Sequence, residues 1–262
     1  MNKAELREKD IMTLLRVSGK VSVGEAMALL DVSESTVRRL FNKLEADGSA
    51  VRTYRGISIN TVSGTRESYS FERNELYRSN EKIMIGEAAE RLIEAGDTLY
   101  LDSGTTVLRL CSAMARAAAV NGERYSAVTV FTNSLANLNL LKDRMNVCLI
   151  GGEFRPHRQD FCGYLTDEVI KKLHFTKCFV GADGFSVKNG LTASDFDTAR
   201  INQLVVAGSD KRILLADTSK AGKASVIHYA PIESVDTLVT NQWLVPDVKS
   251  ELLKLNINII EA

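Results

Sequence analysis

The chain has 262 residues, 45% of them hydrophobic, with 33 Lys+Arg balanced by 33 Asp+Glu for a formal net charge of zero. That length suits one large domain or two ordinary ones, and the composition supports a core of useful size. Neutrality excludes a protein that coats nucleic acid through bulk charge, while leaving room for a local DNA-binding face.

Residues 4 to 18 place Leu6, Ile11, Leu14, Leu15 and Val17 among charges, which is the period of an amphipathic helix. Ser18-Gly19-Lys20 stops it. Ser22 caps a second helix, with Glu25 three residues on completing a capping box, and Ala26, Leu29 and Leu30 form its buried side. After the Asp31-Val32 turn, Ser33 caps a third helix that carries Val37, Leu40, Phe41 and Leu44 at helical spacing and closes at Asp47-Gly48. Two short helices across a tight turn make a helix-turn-helix over about residues 20–39. Its candidate DNA contacts are the hydroxyls of Ser33, Ser35 and Thr36 at the third helix's N-terminus, where phosphate and base edges are reached. Arg38, Arg39 and Lys43 follow on the next turns. Arg52 and Arg55 sit on a hairpin, or wing, over Val51–Ile57. From periodicity alone, a surface helical hairpin with an ordinary charged face fits equally well.

The stretch from Ser22-Val23 to Gly48, centred on Val32-Ser33-Glu34-Ser35-Thr36-Val37-Arg38-Arg39, resembles the winged helix-turn-helix of the DeoR family of bacterial transcriptional regulators. Leu44-Glu45 and Gly48 fit the same pattern. Two positions depart from it: Leu40 stands where the family carries an acidic residue, and Tyr54-Arg55-Gly56 replaces a histidine-glycine-glycine wing tip.

Residues 59–80 are mixed and polar and read as a linker, with helix expected over about 68–80, so the domains are 1–58 and 81–262. From residue 81, helices alternate with short apolar runs. Helices are expected over about 82–95, 105–118, 164–173 and 196–208, with another after Ser134 and one near the C-terminus. Strands are expected at Thr98–Leu101, Ala127–Phe131, Val147–Ile150, Lys177–Val180, Arg212–Ala216 and Thr237–Val239, and an apolar Ile257–Ile260 closes the chain. This alternation implies an α/β domain with a mostly parallel sheet covered on both faces.

Polar residues cluster directly after the strands: Asp102-Ser103-Gly104-Thr105-Thr106, Asn133-Ser134, Gly151-Gly152, Asp183-Gly184 and Asp217-Thr218-Ser219-Lys220. In a parallel sheet these are the carboxyl ends, where open α/β sheets place ligands. Asp102 to Thr106 is the best phosphate candidate. Gly104 lets backbone approach, a helix N-terminus offers free N–H groups, and Ser103, Thr105 and Thr106 add hydroxyls. Neither a P-loop lysine nor a dinucleotide glycine pattern is present. Lys220 is the expected compensating cation.

These turns, with Gly181-Ala182-Asp183-Gly184 and Gly190-Leu191-Thr192, resemble the DeoR effector domain in order and number. The resemblance implies a fold similar to ribose-5-phosphate isomerase and a phosphorylated sugar or sugar-like effector. One departure lies after Gly190-Leu191-Thr192: Asn202 stands at the family's lysine position, with Arg200 displaced from it.

The rival reading is a sugar-phosphate isomerase or deaminase carrying an accessory DNA-binding domain. It needs a carboxylate base, for which Asp183 is the candidate, with Lys188 or Asp197 as partner. No second carboxylate shares the Asp183 turn, and a fused helix-turn-helix has little use on such an enzyme, so no enzymatic activity is expected. His157, His174 and His228 lack any metal-site pattern, though His157, beside Arg155 and Arg158, suits an anionic ligand. The four cysteines, Cys111, Cys148, Cys162 and Cys178, lack zinc or CxxC spacing, so no metal and no cofactor is expected. No apolar run approaches the roughly 18 residues of a membrane span, and no secretory h-region follows the start. The expectation is a cytoplasmic, sequence-specific repressor of a sugar-metabolism operon. Its partners are operator DNA, a phosphorylated sugar and further copies of itself as a homo-oligomer, dimer or tetramer, with no membrane.

Overall fold

The computed structural model describes residues 3–18, 20–46, 50–53, 56–59 and 70–262. The chain forms two compact units, Met1–Tyr77 and Arg78–Ala262.

In the first unit, α1 (Lys3–Ser18) is followed by β1 (Lys20–Ser22), α2 (Val23–Leu30), α3 (Glu34–Ala46), β2 (Ala50–Thr53), β3 (Gly56–Ile59) and α4 (Phe71–Leu76). The capping box forms as expected: Glu25 N–H donates to Ser22 Oγ at 3.2 Å, and Ser22 N–H donates to Glu25 Oε2 at 2.8 Å. Asp31, at φ 48°, ends α2 in the left-handed region. Val37, Phe41 and Leu44 of α3 pack with Ile11, Leu15, Val21 and Ile57. Lys20 to Ser22, read from sequence as the end of a helix stop and the opening of the second helix, is a strand because Val21 pairs with Ile57 and both are buried. The sheet order β1-β3-β2 is antiparallel throughout and completes a winged helix. The expected Asp47-Gly48 closure and the Tyr54-Arg55 wing tip lie outside the described residues.

The second unit runs α5 (Ser79–Glu90), β4 (Thr98–Leu101), α6 (Thr105–Val120), α7 (Gly122–Ser126), β5 (Thr129–Thr132), α8 (Leu135–Leu141), β6 (Asn146–Leu149), β7 (Glu153–Arg155), β8 (Asp160–Cys162), α9 (Tyr164–Ile170) and β9 (Phe175–Val180). It continues with β10 (Gly184–Ser186), β11 (Gly190–Ala193), α10 (Phe196–Ala207), β12 (Ser209–Leu215), β13 (Ile227–Ala230), β14 (Thr237–Thr240), α11 (Pro246–Lys254) and β15 (Asn258–Glu261). A seven-stranded sheet orders these β15-β14-β12-β9-β4-β5-β6, and every pairing in it is parallel.

Side chains alternate across the pleat. Leu99 and Leu101 of β4 join Ile213 and Leu215 of β12 on one face, with α5, α6 and α8. Tyr100, Leu214 and Leu238 face the opposite side, with α9, α10, α11 and the antiparallel sheet β10-β11-β13. Burial on both faces explains why these strands read as continuous apolar runs.

Several boundaries differ from the sequence reading, and at three of them the cause is visible. The first helix of this unit stops at Glu90, not 95, because the Arg124 guanidinium takes up the carbonyls of Glu90 and Ile93 at the helix end. The strand read at Ala127–Phe131 is Thr129–Thr132, since Ala127 caps the short α7. The helix read to 173 ends at Ile170, whose carbonyl accepts the Leu173 N–H in a closing turn. The antiparallel β7–β8 hairpin and the β10-β11-β13 sheet have no counterpart in that reading.

Numbered along the chain, the main sheet runs 3-2-1-4-5-6-7 from the β6 edge. The strand order reverses between β4 and β9. Open parallel sheets open a ligand crevice at such a switch point, outside the carboxyl ends of the strands.

Candidate DNA-binding face and effector crevice

On α3, Ser33 Oγ lies 3.0 Å from Ser35 Oγ and 3.1 Å from Thr36 Oγ1, so three hydroxyls gather at the N-terminus of the helix. Ser33, Ser35, Arg38 and Arg39 are exposed, and Thr36 is half-buried. Arg38 Nε donates to Glu34 Oε1 at 2.7 Å along the helix. As an exposed pair this adds little stability, but it holds the guanidinium back toward the hydroxyl cluster. Lys43 is drawn to Glu8 of α1. The Arg52 guanidinium lies over the Phe41 ring, 5.5 Å from its centroid, and the Arg52 N–H donates to Glu45 Oε1 at 3.1 Å. Lys43 and Arg52, both read as DNA contacts, thus help hold this unit together. Arg55 lies outside the described residues.

The switch point is organised by Asp102, which follows β4. Asp102 Oδ1 accepts the Ser103 N–H at 2.7 Å, and Oδ2 accepts the Gly181 N–H at 3.1 Å, joining the ends of the two strands that flank the reversal. Burial raises the Asp102 carboxyl, and these two backbone donors offset that only in part. Gly104 starts α6 without a side-chain cap, so the first-turn N–H groups stand beside the hydroxyls of Thr105 and Thr106. Such a turn can accept an anion.

Asn133 and Ser134 are buried and work within the protein. Tyr100 donates its hydroxyl to Asn133 Oδ1 at 2.9 Å, Asn133 Nδ2 donates to the Phe161 carbonyl at 2.8 Å, and Ser134 Oγ caps α8 through the Asn137 N–H. Asn137 Nδ2 donates to the Asp102 carbonyl at 3.0 Å and steadies the turn from the α8 side. Gly151 leaves open space at its Cβ position. At Gly152 a Cβ would meet Thr166 Oγ1 at 2.2 Å and the Cys162 carbonyl at 2.3 Å, so only glycine lets the hairpin close.

A charged network flanks the turn. Ser103 Oγ donates to Asp160 Oδ2 at 2.8 Å. Arg155 grips Asp160 with two bonds of 2.8 Å, and reaches Asp195 Oδ1 at 2.6 Å and Thr198 Oγ1 at 3.1 Å. Burial works to raise the Asp195 carboxyl. Donation from the Thr198 N–H and hydroxyl and from Arg155 outweighs it and brings the group to about 2. The buried Arg158 holds its Nε 3.7 Å from Asp160. The Asp102–Thr106 turn, the β7–β8 hairpin and the start of α10 are therefore one polar unit.

Asp183, the candidate base of the rival enzyme, accepts from the Ser194 N–H at 2.8 Å and the Ser194 hydroxyl at 2.7 Å. That occupation suits a loop-orienting carboxylate better than a base. Asp217 is buried and accepts the Ser219 N–H at 3.0 Å, while Lys220 is half-buried on the same turn. Arg200 pairs outward with Asp167 of α9, and Asn202 is buried. The sequence singles out Arg155 and Arg158 only as neighbours of His157 and gives no sign of Asp160, Asn137 or Thr198. The one local signal was the density of charge in Arg155-Pro156-His157-Arg158-Gln159-Asp160, which reads as an ordinary surface loop.

The model of the DeoR-like helix-turn-helix domain matches residues 7–62, and that of the DeoR C terminal sensor domain matches residues 77–242. The chain belongs to the DeoR family. Among curated DeoR-like relatives, it is 31% identical over 248 residues to the lactose phosphotransferase system repressor of Lactococcus lactis, covering 94% of each chain. It is 30% identical to the HTH-type transcriptional regulator IolR of Bacillus subtilis, covering 91% of this chain and 92% of the relative. It is 27% identical to a putative aga operon transcriptional repressor of Escherichia coli O157:H7, covering 97% and 92%. These relatives are named as transcriptional regulators, not enzymes, in line with the sequence reading. Solved structures similar to this DeoR-family chain include a ribose 5-phosphate isomerase of Methanocaldococcus jannaschii, at 16% identity and a TM-score of 0.40, over 55% of this chain and 54% of the other.

Proposed function

We propose that this DeoR-family protein is a repressor of a sugar-metabolism operon, released from or committed to its operator by a phosphorylated sugar. Residues 1–58 bind DNA, 59–80 link, and 81–262 bind effector and oligomerise. The observation that carries this reading is the switch-point turn Asp102–Thr106: an uncapped helix N-terminus with two hydroxyls, in the same chain as a hydroxyl-tipped, arginine-bearing α3. Ser103, Gly104, Thr105 and Thr106 receive the phosphate, while Asp102 and Asp183 shape the loops around it. Arg38 and Arg39 meet the operator with Ser33, Ser35 and Thr36. Tyr164, Leu165 and Phe196 are strongly exposed at the starts of α9 and α10, and they offer apolar surface for a dimer or tetramer. No helix among the described residues is long and apolar enough to cross a membrane, which fits a protein working on DNA in the cytoplasm.

The test is fluorescence anisotropy with DNA from upstream of the operon beside its gene, titrated with and without aldose and ketose phosphates. Binding that a sugar phosphate changes supports the reading. Turnover of a sugar phosphate that Asp183→Ala abolishes would replace it with the isomerase reading.

A further inference from the structure

Trp243 is the only tryptophan of the chain, and it is 86% exposed. It stands between β14 and α11 at φ 76°, in the left-handed region that a bulky side chain rarely adopts. Folding alone does not account for a strained backbone that holds a large apolar side chain in water, since a glycine would serve the loop better. The indole borders a groove of about 800 Å³. Pro246, Lys249, Ser250 and Leu253 of α11 form one wall, at the i, i+3, i+4, i+7 spacing of a single helix face. Leu253 is exposed, as is Val245 next to the helix start. Lys254 and Glu261 complete the lining, at the end of α11 and on β15.

β15 is the outermost strand of the main sheet. The Asn258 and Ala262 N–H groups donate inward, to the carbonyls of Asp236 and Thr240. By the alternation of a strand, Ile259 and Glu261 turn their N–H and C=O groups to the open edge. That pattern is its own complement. Against an antiparallel copy with Ile260 on the two-fold axis, Ile259 of one chain faces Glu261 of the other, and each such pair exchanges both its N–H···O bonds.

The charges agree with this register. β14 and β15 are parallel, so α11 runs back from the carboxyl edge of the sheet to the amino edge. The two-fold axis brings the carboxyl end of one β15 to the amino edge of the other copy, where its α11 ends. Glu261 of one chain then comes beside Lys254 of the second. Trp243, at the carboxyl edge, comes beside Leu253 of the second chain and the Lys254 stem, which gives the indole an apolar bed with a cation at its end.

We propose that this edge is an interface between copies of the chain, in which β15 pairs antiparallel with β15 of a second copy and each Trp243 packs on the other's Leu253 and Lys254. This rests on the reading of the chain as a homo-oligomer. It uses none of Tyr164, Leu165 and Phe196, and two different isologous contacts are what a tetramer of D2 symmetry needs.

The test is sedimentation velocity of the full chain over a dilution series, with the emission of the single tryptophan followed on the same samples. Wild type is expected to dissociate on dilution, its emission moving to the red as the indole returns to water. Trp243→Gly removes the indole and suits the left-handed backbone. In dilute solution it is expected to keep the wild-type Tm, and to associate roughly 10- to 100-fold more weakly. Lys254→Glu and Glu261→Lys are each expected to weaken association. An equimolar mixture of the two should associate more tightly than either alone, because each copy then meets the opposite charge. An oligomer that Trp243→Gly leaves unchanged overturns this interface and leaves homo-oligomerisation standing. A wild type that is monomeric at every concentration overturns both. Emission that ignores dilution and shifts on adding a sugar phosphate would make the groove a ligand site and overturn the proposal.

Discussion

Ser103 Oγ donates a 2.8 Å hydrogen bond to Asp160, a carboxylate with no exposed surface that Arg155 holds from the other side. Removing the acid leaves the Ser103 hydroxyl without this acceptor and the buried Arg155 guanidinium with two of its charge-assisted bonds lost, only Asp195 and Thr198 still holding it. Asp160→Ala is therefore expected to lose about 2 to 3 kcal/mol of unfolding free energy in urea, and a change under about 1 kcal/mol would mean the network relaxes or hydrates freely.

Asp195 carries a pH signature. Its folded-state value, about 2, lies below the ordinary carboxylate value of 3.8. A depressed acid stabilises the fold above the unfolded value, and that contribution fades as pH falls from about 4 toward 2. Its side chain is 32% exposed, so solvent screening caps the contribution at about 2 kcal/mol. Asp195→Asn should cost most of that at neutral pH, and the gap to wild type should close as the solution is acidified through this window. A gap that is constant with pH contradicts the assignment.

Arg38 and Arg39 should govern operator affinity and its salt dependence. Each phosphate contact removed is expected to flatten the log–log salt slope by about 1. Because Glu34 holds Arg38 along the helix, Glu34→Gln should alter Arg38's contribution and leave that of Arg39 unchanged. Anisotropy titrations at several salt concentrations separate these cases, and identical slopes for wild type and Arg39→Ala would remove α3 from the DNA.

Gly86 tests the α5–α6 contact. A methyl group there meets backbone 2.6 Å away, which cannot yield as a flexible side chain would. Gly86→Ala should lower stability by about 1 to 3 kcal/mol, despite alanine's better helix propensity. A stabilised variant would show that the two helices can separate.

What was legible in the sequence is what is encoded locally. Thr98–Leu101 followed by Asp102-Ser103-Gly104-Thr105-Thr106 is a strand, turn and helix start within a dozen residues, and the structure has those boundaries. The convergence of five turns at one edge also held, because every strand of the main sheet is parallel. The β10-β11-β13 sheet was not legible, since Leu191 pairs with Ala230, some forty positions away, and periodicity carries no pairing information at that range. The β7–β8 hairpin was hidden for a different reason. Its connection holds Gln159 at φ 56° in place of the glycine or asparagine that announces such a turn. Lys43 and Arg52 have neighbours that the sequence did not show: Glu8 and the Phe41 ring lie against them within the same unit.

The most direct measurement is operator binding by the Thr105→Ala, Thr106→Ala protein, with and without the sugar phosphate that moves the wild type. These side chains belong to the first turn of α6 in the second unit, whereas α3 belongs to the first. The variant is expected to bind operator with wild-type affinity and to ignore the sugar phosphate. A variant that still responds as wild type would place the effector elsewhere and contradict the assignment of the Asp102–Thr106 turn.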